Sequence, residues 1–342
     1  PSSGLDSIYN SQEHALYLEN ERYFRNGWKL ETGLRLNYFG GLDNDYIYLQ
    51  PRLGLKHEKE NILFSSSYAR MSQHIHLLVN PGPGLPSDLW VPSTSSIAPE
   101  IADVFDLGLQ FSKSNFVFGS TIFYNQYSNV IEYSNDSDIL YSLIIDNKLF
   151  NVSVDNTNWE DRVSIGKGWS YGIEFSFGFE TDKLTWSNAY TLSRSQRKFT
   201  DLNDGESFPY RYDRRHNVSS QLTWSFTKNQ KIMMDFAFGT GNAFTLATIE
   251  ILGPDGTPRL VPISRNNGRV PDFHHLDLIY KNKKKLKSGA SLEYSIGVYN
   301  IYNRLNPFYV YLFQDPVTQD FDGFRKISIY PVIPKLNVKY SW

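Results

Sequence analysis

The chain has 342 residues, no cysteine, and 20% charged residues balanced to a formal net charge of −2. That balance excludes the basic surplus of a nucleic-acid binder, and the missing thiols exclude disulfides and thiolate metal sites. Aromatic residues reach 15%, with 23 Tyr, 23 Phe and 7 Trp. No apolar run approaches the roughly 20 residues of a transmembrane helix. The opening Pro1-Ser2-Ser3-Gly4 carries neither the basic nor the apolar region of a signal peptide, so none is expected in this sequence.

The signal lies in alternation. Side chains of a β-strand point in turn to the two faces of its sheet. After an expected first strand over 14–24, Trp28, Leu30, Leu34, Leu36 and Tyr38 share one parity against Lys29, Glu31, Arg35 and Asn37. Leu49, Leu53 and Leu55 oppose Gln50, Arg52 and Lys56, and Ile62, Phe64 and Tyr68 oppose Ser65 and Ser67. Phe105, Leu107, Leu109 and Phe111 face away from Asp106 and Gln110, and Phe116, Phe118, Ile122 and Tyr124 away from Thr121 and Asn125. The clearest run sets Trp169, Tyr171, Ile173, Phe175, Phe177 and Phe179 against Ser170, Glu174, Ser176 and Glu180. Further strands are expected around Trp186–Leu192, Val218–Phe226, Ile232–Phe238, Leu276–Tyr280 and Leu292–Val298. The chain ends on Leu336, Val338, Tyr340 and Trp342 against Lys335, Asn337, Lys339 and Ser341. The total is about thirteen strands of roughly ten residues or more.

The connections alternate as well. Short polar turns fall at 25–27, 57–60, 113–115, 181–183, 227–230 and 281–288, and mostly long loops at 40–45, 71–101, 132–162, 200–214, 245–272 and 304–324. Such segregation belongs to transmembrane barrels, with short periplasmic turns and long extracellular loops. The polar parity carries Glu31, Arg35, Arg52, Lys56, Asp106, Glu174, Asp235 and Glu293. Facing lipid, a Lys or Arg at the midplane costs about 2–4 kcal/mol, so this parity suits a wet or plugged lumen. With the last strand ending in the periplasm, the odd strand count places residues 1–13 in an extracellular loop. The chain then reads as the C-terminal part of a larger barrel, with 335–342 as its closing strand.

Several stretches resemble the TonB-dependent outer-membrane receptors of the Bacteroidetes type: Gln50-Pro51-Arg52-Leu53, Tyr68-Ala69-Arg70-Met71-Ser72-Gln73, Leu89-Trp90-Val91-Pro92-Ser93-Thr94, Gly166-Lys167-Gly168-Trp169-Ser170-Tyr171-Gly172, Tyr212-Asp213-Arg214-Arg215-His216, and Tyr299-Asn300-Ile301-Tyr302-Asn303-Arg304-Leu305-Asn306-Pro307. The resemblance runs essentially end to end. It implies an all-β, antiparallel up-and-down transmembrane barrel, of which this chain supplies about 13 C-terminal strands out of 22, without the plug. It also implies several partners: outer-membrane lipid, the remaining half of the same barrel, TonB through an N-terminal region outside this sequence, and a surface lipoprotein. Leu336, Val338, Tyr340 and Trp342 resemble the signal read by the barrel-assembly machinery; the plainer reading is a lipid-facing strand that closes the barrel.

Candidate ligand residues lie in the loops and at the lumen mouth. Tyr210, Tyr212, Arg214, Arg215 and His216 could hold an anion, since a guanidinium matches carboxylate or phosphate, or could form an internal salt-bridge network. Arg269 and Trp90 join them, the latter in a Pro-rich loop containing Pro81-Gly82-Pro83-Gly84. His74 and His76 would share a face on an unbroken strand, and His274 adjoins His275. A structural or stacking role is read for these histidines, and no metal or cofactor is expected. Gly239-Thr240-Gly241-Asn242 reads as a strand-end bend. The sequons at Asn135, Asn151 and Asn217 carry no message in a bacterial barrel. No catalytic pair stands out, so an enzyme is not expected. The expected function is TonB-dependent uptake of a scarce nutrient: a siderophore, metal chelate, oligosaccharide or peptide. The alternative is a structural or assembly subunit of an envelope complex.

Overall fold

The computed structural model describes residues 10–41, 44–82, 88–134, 159–252, 258–262, 264–314 and 321–342. The opening segment 1–9, Pro83-Gly84 and the sequon residues Asn135 and Asn151 lie outside the described residues. One antiparallel sheet contains the path β1 (Gln12–Tyr23), β2 (Trp28–Gly40), β3 (Asp45–Lys59), β4 (Ile62–Gln73), β5 (Glu100–Lys113), β6 (Phe116–Tyr133), β7 (Val163–Glu180), β8 (Leu184–Lys198), β9 (His216–Ser225), β10 (Gln230–Gly239), β11 (Phe273–Lys285), β12 (Ser291–Tyr299) and β13 (Ile333–Ser341). Each strand pairs with the one before it, and the short strand Phe208–Pro209 adds to β8.

Register turns the sequence parity into a continuous surface. Leu16, Leu36 and Leu49 lie abreast, as do Leu53, Tyr68, Phe105, Tyr124 and Tyr171. Tyr280, Ile296 and Leu336 continue the pattern across the last strands. Leu34, Leu36, Leu49, Leu53, Phe105, Leu107 and Leu109 remain 44–55% exposed. An apolar belt this broad is at home in hydrocarbon, where only closed backbone pairing is tolerated. Its margin at the long-loop end is marked by Tyr68, whose hydroxyl donates to Asp103, and by the forked pair Arg70–Asp103 at 2.8 and 2.9 Å.

The other face is ionic. Glu31 sits 2.7 Å from Lys29 and 3.0 Å from Lys56, and Arg52 faces Glu19 at 3.7 Å. The same cross-strand pairing corrects one expectation. The turn expected over 281–288 begins only after Lys285: β11 runs to that residue, because Lys283 lies opposite Glu293, which in turn lies opposite Lys339. Opposite charges on facing strands support the ladder where a lysine run in isolation suggests a solvated turn.

Between strands, residues 24–27, 60–61, 114–115, 181–183, 226–229 and 286–290 make one end of the sheet, and the described residues of 41–44, 74–99, 134–162, 199–215, 240–272 and 300–332 make the other. The first turn is fixed by Gly27, at φ +80°, where a Cβ would lie 2.1 Å from the Glu58 carbonyl oxygen. The long-loop end contains small hairpins, among them Ile75–Leu78 with Leu89–Pro92. It also holds the buried apolar clusters: Leu78, Val91, Ile97, Ile131 and Tyr133 in one, Val130, Phe199, Leu202 and Phe208 in the other. Between them Glu132 is 1% exposed. Arg197 Nη1 lies 2.9 Å from its carboxylate and also donates to the Ile131 carbonyl, while Arg265 stands 3.5 Å away and donates to the Tyr133 carbonyl. The end of β8 and the loop 240–272 are thereby pinned to the end of β6.

Three outcomes follow for measurement. The sheet path starts at β1 and ends at β13, and among the described residues each of these strands pairs along one edge only. In hydrogen exchange on the micelle-refolded chain, amides of β1 and β13 should exchange about tenfold or more faster than those of β7; equal protection of all three would contradict the open edges. Removing the anion in Glu132→Leu strands two buried guanidiniums and should cost about 3–5 kcal/mol, read as a lowered melting temperature and faster proteolysis in 199–215 and 240–272. Finally, burial pushes His76 down to about 4, against a weaker upward pull from the Ala98 backbone. Its folded pKa is below its unfolded value, so its contribution is full above about pH 6.5 and drains away as pH falls toward 4, by up to about 1.4 kcal/mol per unit. The melting temperature should fall less steeply between pH 7 and 5 in His76→Gln than in the parent chain.

Candidate functional site

The loop core shapes two pockets of opposite charge. The first, about 670 Å³, lies among the upper ends of β1, β4, β5 and β6 and the Ile75–Leu78 hairpin. Its lining includes Glu13, His74, Trp90, Glu100 and Tyr127, and contains no lysine or arginine. Glu13 is held by the amide of Asn37 at 2.6 Å and faces Arg35 at 3.8 Å. His74 is buried and stacks on Phe39 with ring centroids 4.6 Å apart. The exposed Trp90 stands on the facing hairpin strand.

The one-face placement expected for His74 and His76 presupposed an unbroken strand, but β4 stops at Gln73 and the backbone bends at His74 before the hairpin. His76 is directed instead to the Ser93 hydroxyl at 3.1 Å. Among the described residues no three His, Cys, Asp or Glu side chains gather as metal ligands.

The second pocket, about 260 Å³, lies where the segment before β9 meets the ends of β10 and β11. Arg211, Tyr212 and Arg214 line it beside Asn242, Phe273 and Tyr309, with no acidic residue in its wall. Gly241 lets two backbones cross here: a Cβ on it would sit 1.5 Å from the Val270 carbonyl oxygen. Arg211 is buried and donates to the Gly82 carbonyl at 2.7 Å. Burial lowers its pKa, while Tyr212, Asp88 and Glu132 act in the opposite sense. Tyr212 donates to Asp88, and its own pKa is raised by burial and then by that bond. Arg214 Nε donates to the Asn242 amide oxygen at 2.7 Å.

The remaining candidates are engaged elsewhere. Tyr210 lies under the Arg197 guanidinium at 3.9 Å and donates its backbone N–H to Ser195. Arg269 pairs with Asp213, which also accepts from the Ser195 N–H. Arg215 reaches the Ser193 carbonyl at 3.4 Å, His216 meets the Tyr190 hydroxyl at 2.9 Å, and His274 meets the Tyr302 hydroxyl at 2.7 Å. So Tyr212 and Arg214 come together in one pocket and His74 and Trp90 in the other, while Tyr210, Arg269, His216 and His274 make internal contacts. Sequence reading missed Arg211, Glu100 and the Glu132 cluster. Arg211 lies within the Tyr210–His216 segment already singled out, so a test of every cation in that segment would have found it.

Comparison with known proteins agrees with this geometry. The family model described as TonB dependent receptor-like, beta-barrel, matches residues 1–301. No curated protein sequence matches the chain. Among solved structures, the FrpB iron transporter from Neisseria meningitidis (F3-3 variant) superposes with a TM-score of 0.61 at 14% identity, over 97% of this chain and 46% of that one. The ferric-catecholate import receptor Fiu from Escherichia coli K12 gives 0.58 at 14%, over 97% and 44%. A mutant of the ferric enterobactin receptor PfeA from Pseudomonas aeruginosa gives 0.58 at 18%, over 97% and 45%. The chain thus spans less than half the length of each of these structures. It belongs to the TonB-dependent receptor-like β-barrel family.

Proposed function

We propose that this chain forms part of the wall and mouth of an outer-membrane receptor that takes up a scarce solute in a TonB-dependent manner. The observation that carries this reading is the division of labour in one sheet. A bare apolar belt faces one way, an ionic face lies behind it, and the described parts of the long loops gather at one end beside two pockets. A static pore needs no such roofed end; a receptor that captures a solute before moving it does. The long-loop end is then extracellular and the end carrying 286–290 periplasmic. Further strands complete the two free edges, and TonB acts through a region outside this sequence. The terminal Leu336, Val338, Tyr340 and Trp342, on a strand with a free edge, suit pairing with the assembly machinery by strand addition. The Fiu, FrpB and PfeA likenesses favour an iron chelate as the solute.

The test is uptake of ⁵⁵Fe-loaded chelates by cells that carry or lack the complete receptor, with and without TonB. Receptor-dependent uptake of one chelate, lost with TonB or on collapse of the proton gradient, is expected. Unchanged iron uptake and iron-limited growth in the deletion strain, together with loss of an envelope complex, would replace this reading with a structural role.

A further inference from the structure

Arg211 is in an unusual position for a buried cation. It is 9% exposed, and among the described residues its one side-chain hydrogen bond goes to a backbone carbonyl, that of Gly82. A guanidinium has five N–H donors. The remaining nitrogens of Arg211 are not sealed in the protein, and the side chain lines the smaller pocket. The loop acids have other partners: Glu132 is held by Arg197 and Arg265, Asp213 by Arg269, Asp88 by the Tyr212 hydroxyl, and Asp272 by the Gly241 N–H at 3.2 Å. A second guanidinium, Arg214, lines the same pocket and bonds to a neutral amide. A buried cation with no carboxylate in hydrogen-bond contact is costly to keep, and here two cations share one concave site.

The rest of the wall narrows the ligand. Phe244, Phe273, Phe308 and Tyr309 supply flat apolar surface. A volume of about 260 Å³ is below the usual range for a whole drug-sized ligand, about 300–1,000 Å³, so the pocket takes one group of a larger molecule. We infer that Arg211 and Arg214 form an oxyanion subsite that holds an aryl carboxylate group, the carboxylate against the two guanidiniums and the ring against Phe273 and Phe308. This deepens the uptake reading by assigning one chemical group of the solute to one pocket. It is tested by equilibrium binding, which does not require transport.

The experiment is calorimetric titration of benzoate into the full-length receptor, purified from outer membranes in neutral detergent. Saturable one-to-one binding is expected, with neutral benzamide about tenfold or more weaker, as a charge-assisted contact requires. Arg211→Gln should abolish binding. Arg214→Gln, an exposed change that keeps the test alive if the buried variant does not fold, should weaken it about tenfold. Lys183→Gln, which removes the same charge from a turn at the opposite end of the sheet, should leave it unchanged. A parallel titration adds phosphatidylglycerol to the same micelles. Arg214-dependent binding of this lipid with no response to benzoate would place a lipid phosphate in the pocket and overturn the aryl carboxylate assignment. Benzoate affinity equal in the parent and both arginine variants, or equal to that of benzamide, would overturn the subsite altogether. Iron uptake that is unchanged in cells lacking the receptor, with benzoate binding intact, would count against transport and leave the subsite standing.

Discussion

Hydrocarbon offers no hydrogen-bond partner, and the rest of this structure follows from that constraint. Every backbone N–H and C=O within the belt must be met by a neighbouring strand, so the chain runs as long antiparallel strands in sequential order. Period-two alternation then separates solvents. Leu53, Tyr68, Phe105 and Tyr124 are carried to one face by the same geometry that carries Glu31, Lys56 and Asp106 to the other. Because the bilayer fixes the length of the belt, whatever the chain needs beyond it must be built at the ends. The short turns close one end with little material, and the long connections accumulate at the other.

What accumulates there is the part of the molecule that most resembles the inside of a soluble protein. The buried apolar clusters lie beyond the belt, around Ile131 and Phe199, and not between the strands. They are joined by an ion cluster that a soluble core would rarely contain. Glu132 with Arg197 and Arg265 yields little net stability after desolvation, but its directionality fixes the loop that carries Arg265 against the ends of β6 and β8. The two pockets are openings left at the margins of this assembly, so their walls inherit its rigidity.

The strands were legible in the sequence because their cause is local: two solvents on two faces impose alternation within ten residues, and β2 and β7 show it almost without exception. The lysine run before 286 was misread for the opposite reason. Its strand character comes from Glu293, which adjoins it only after the hairpin forms. The loop core was beyond sequence reasoning altogether, because Glu132 and Arg197 are 65 positions apart and no periodicity links them. The segment 210–216 was read as either an anion site or an internal network, and its members divide between the pocket and internal contacts. Arg215 makes its contact outside the pocket, and Arg211, which the sequence did not single out, is the cation buried in it. His74-x-His76 suggested a ligand pair only on the assumption of a continuous strand, which the bend at His74 removes.

The loop arginines show how a fold marks a site by what it leaves unmatched. Arg197 and Arg265 share one carboxylate, and Arg269 takes another. These three are structural cations, and each desolvated charge has a nearby opposite. Arg211 is as deeply buried as Arg197, yet it meets only the carbonyl of Gly82. Both lie in or beside the same loop, so sequence drift alone does not readily explain why one is matched and the other is not. A chain selected for stability alone would replace Arg211 with an apolar residue of similar length, since a buried charge with no carboxylate in hydrogen-bond contact contributes less than a well-packed side chain. Rules of this kind are broken at functional positions and compensated elsewhere, and the compensation is visible: the Glu132 cluster and the Gly241–Val270 crossing hold the walls of the pocket in place. The loop geometry that the first three arginines fix is what keeps the other two together in one pocket with no carboxylate in hydrogen-bond contact.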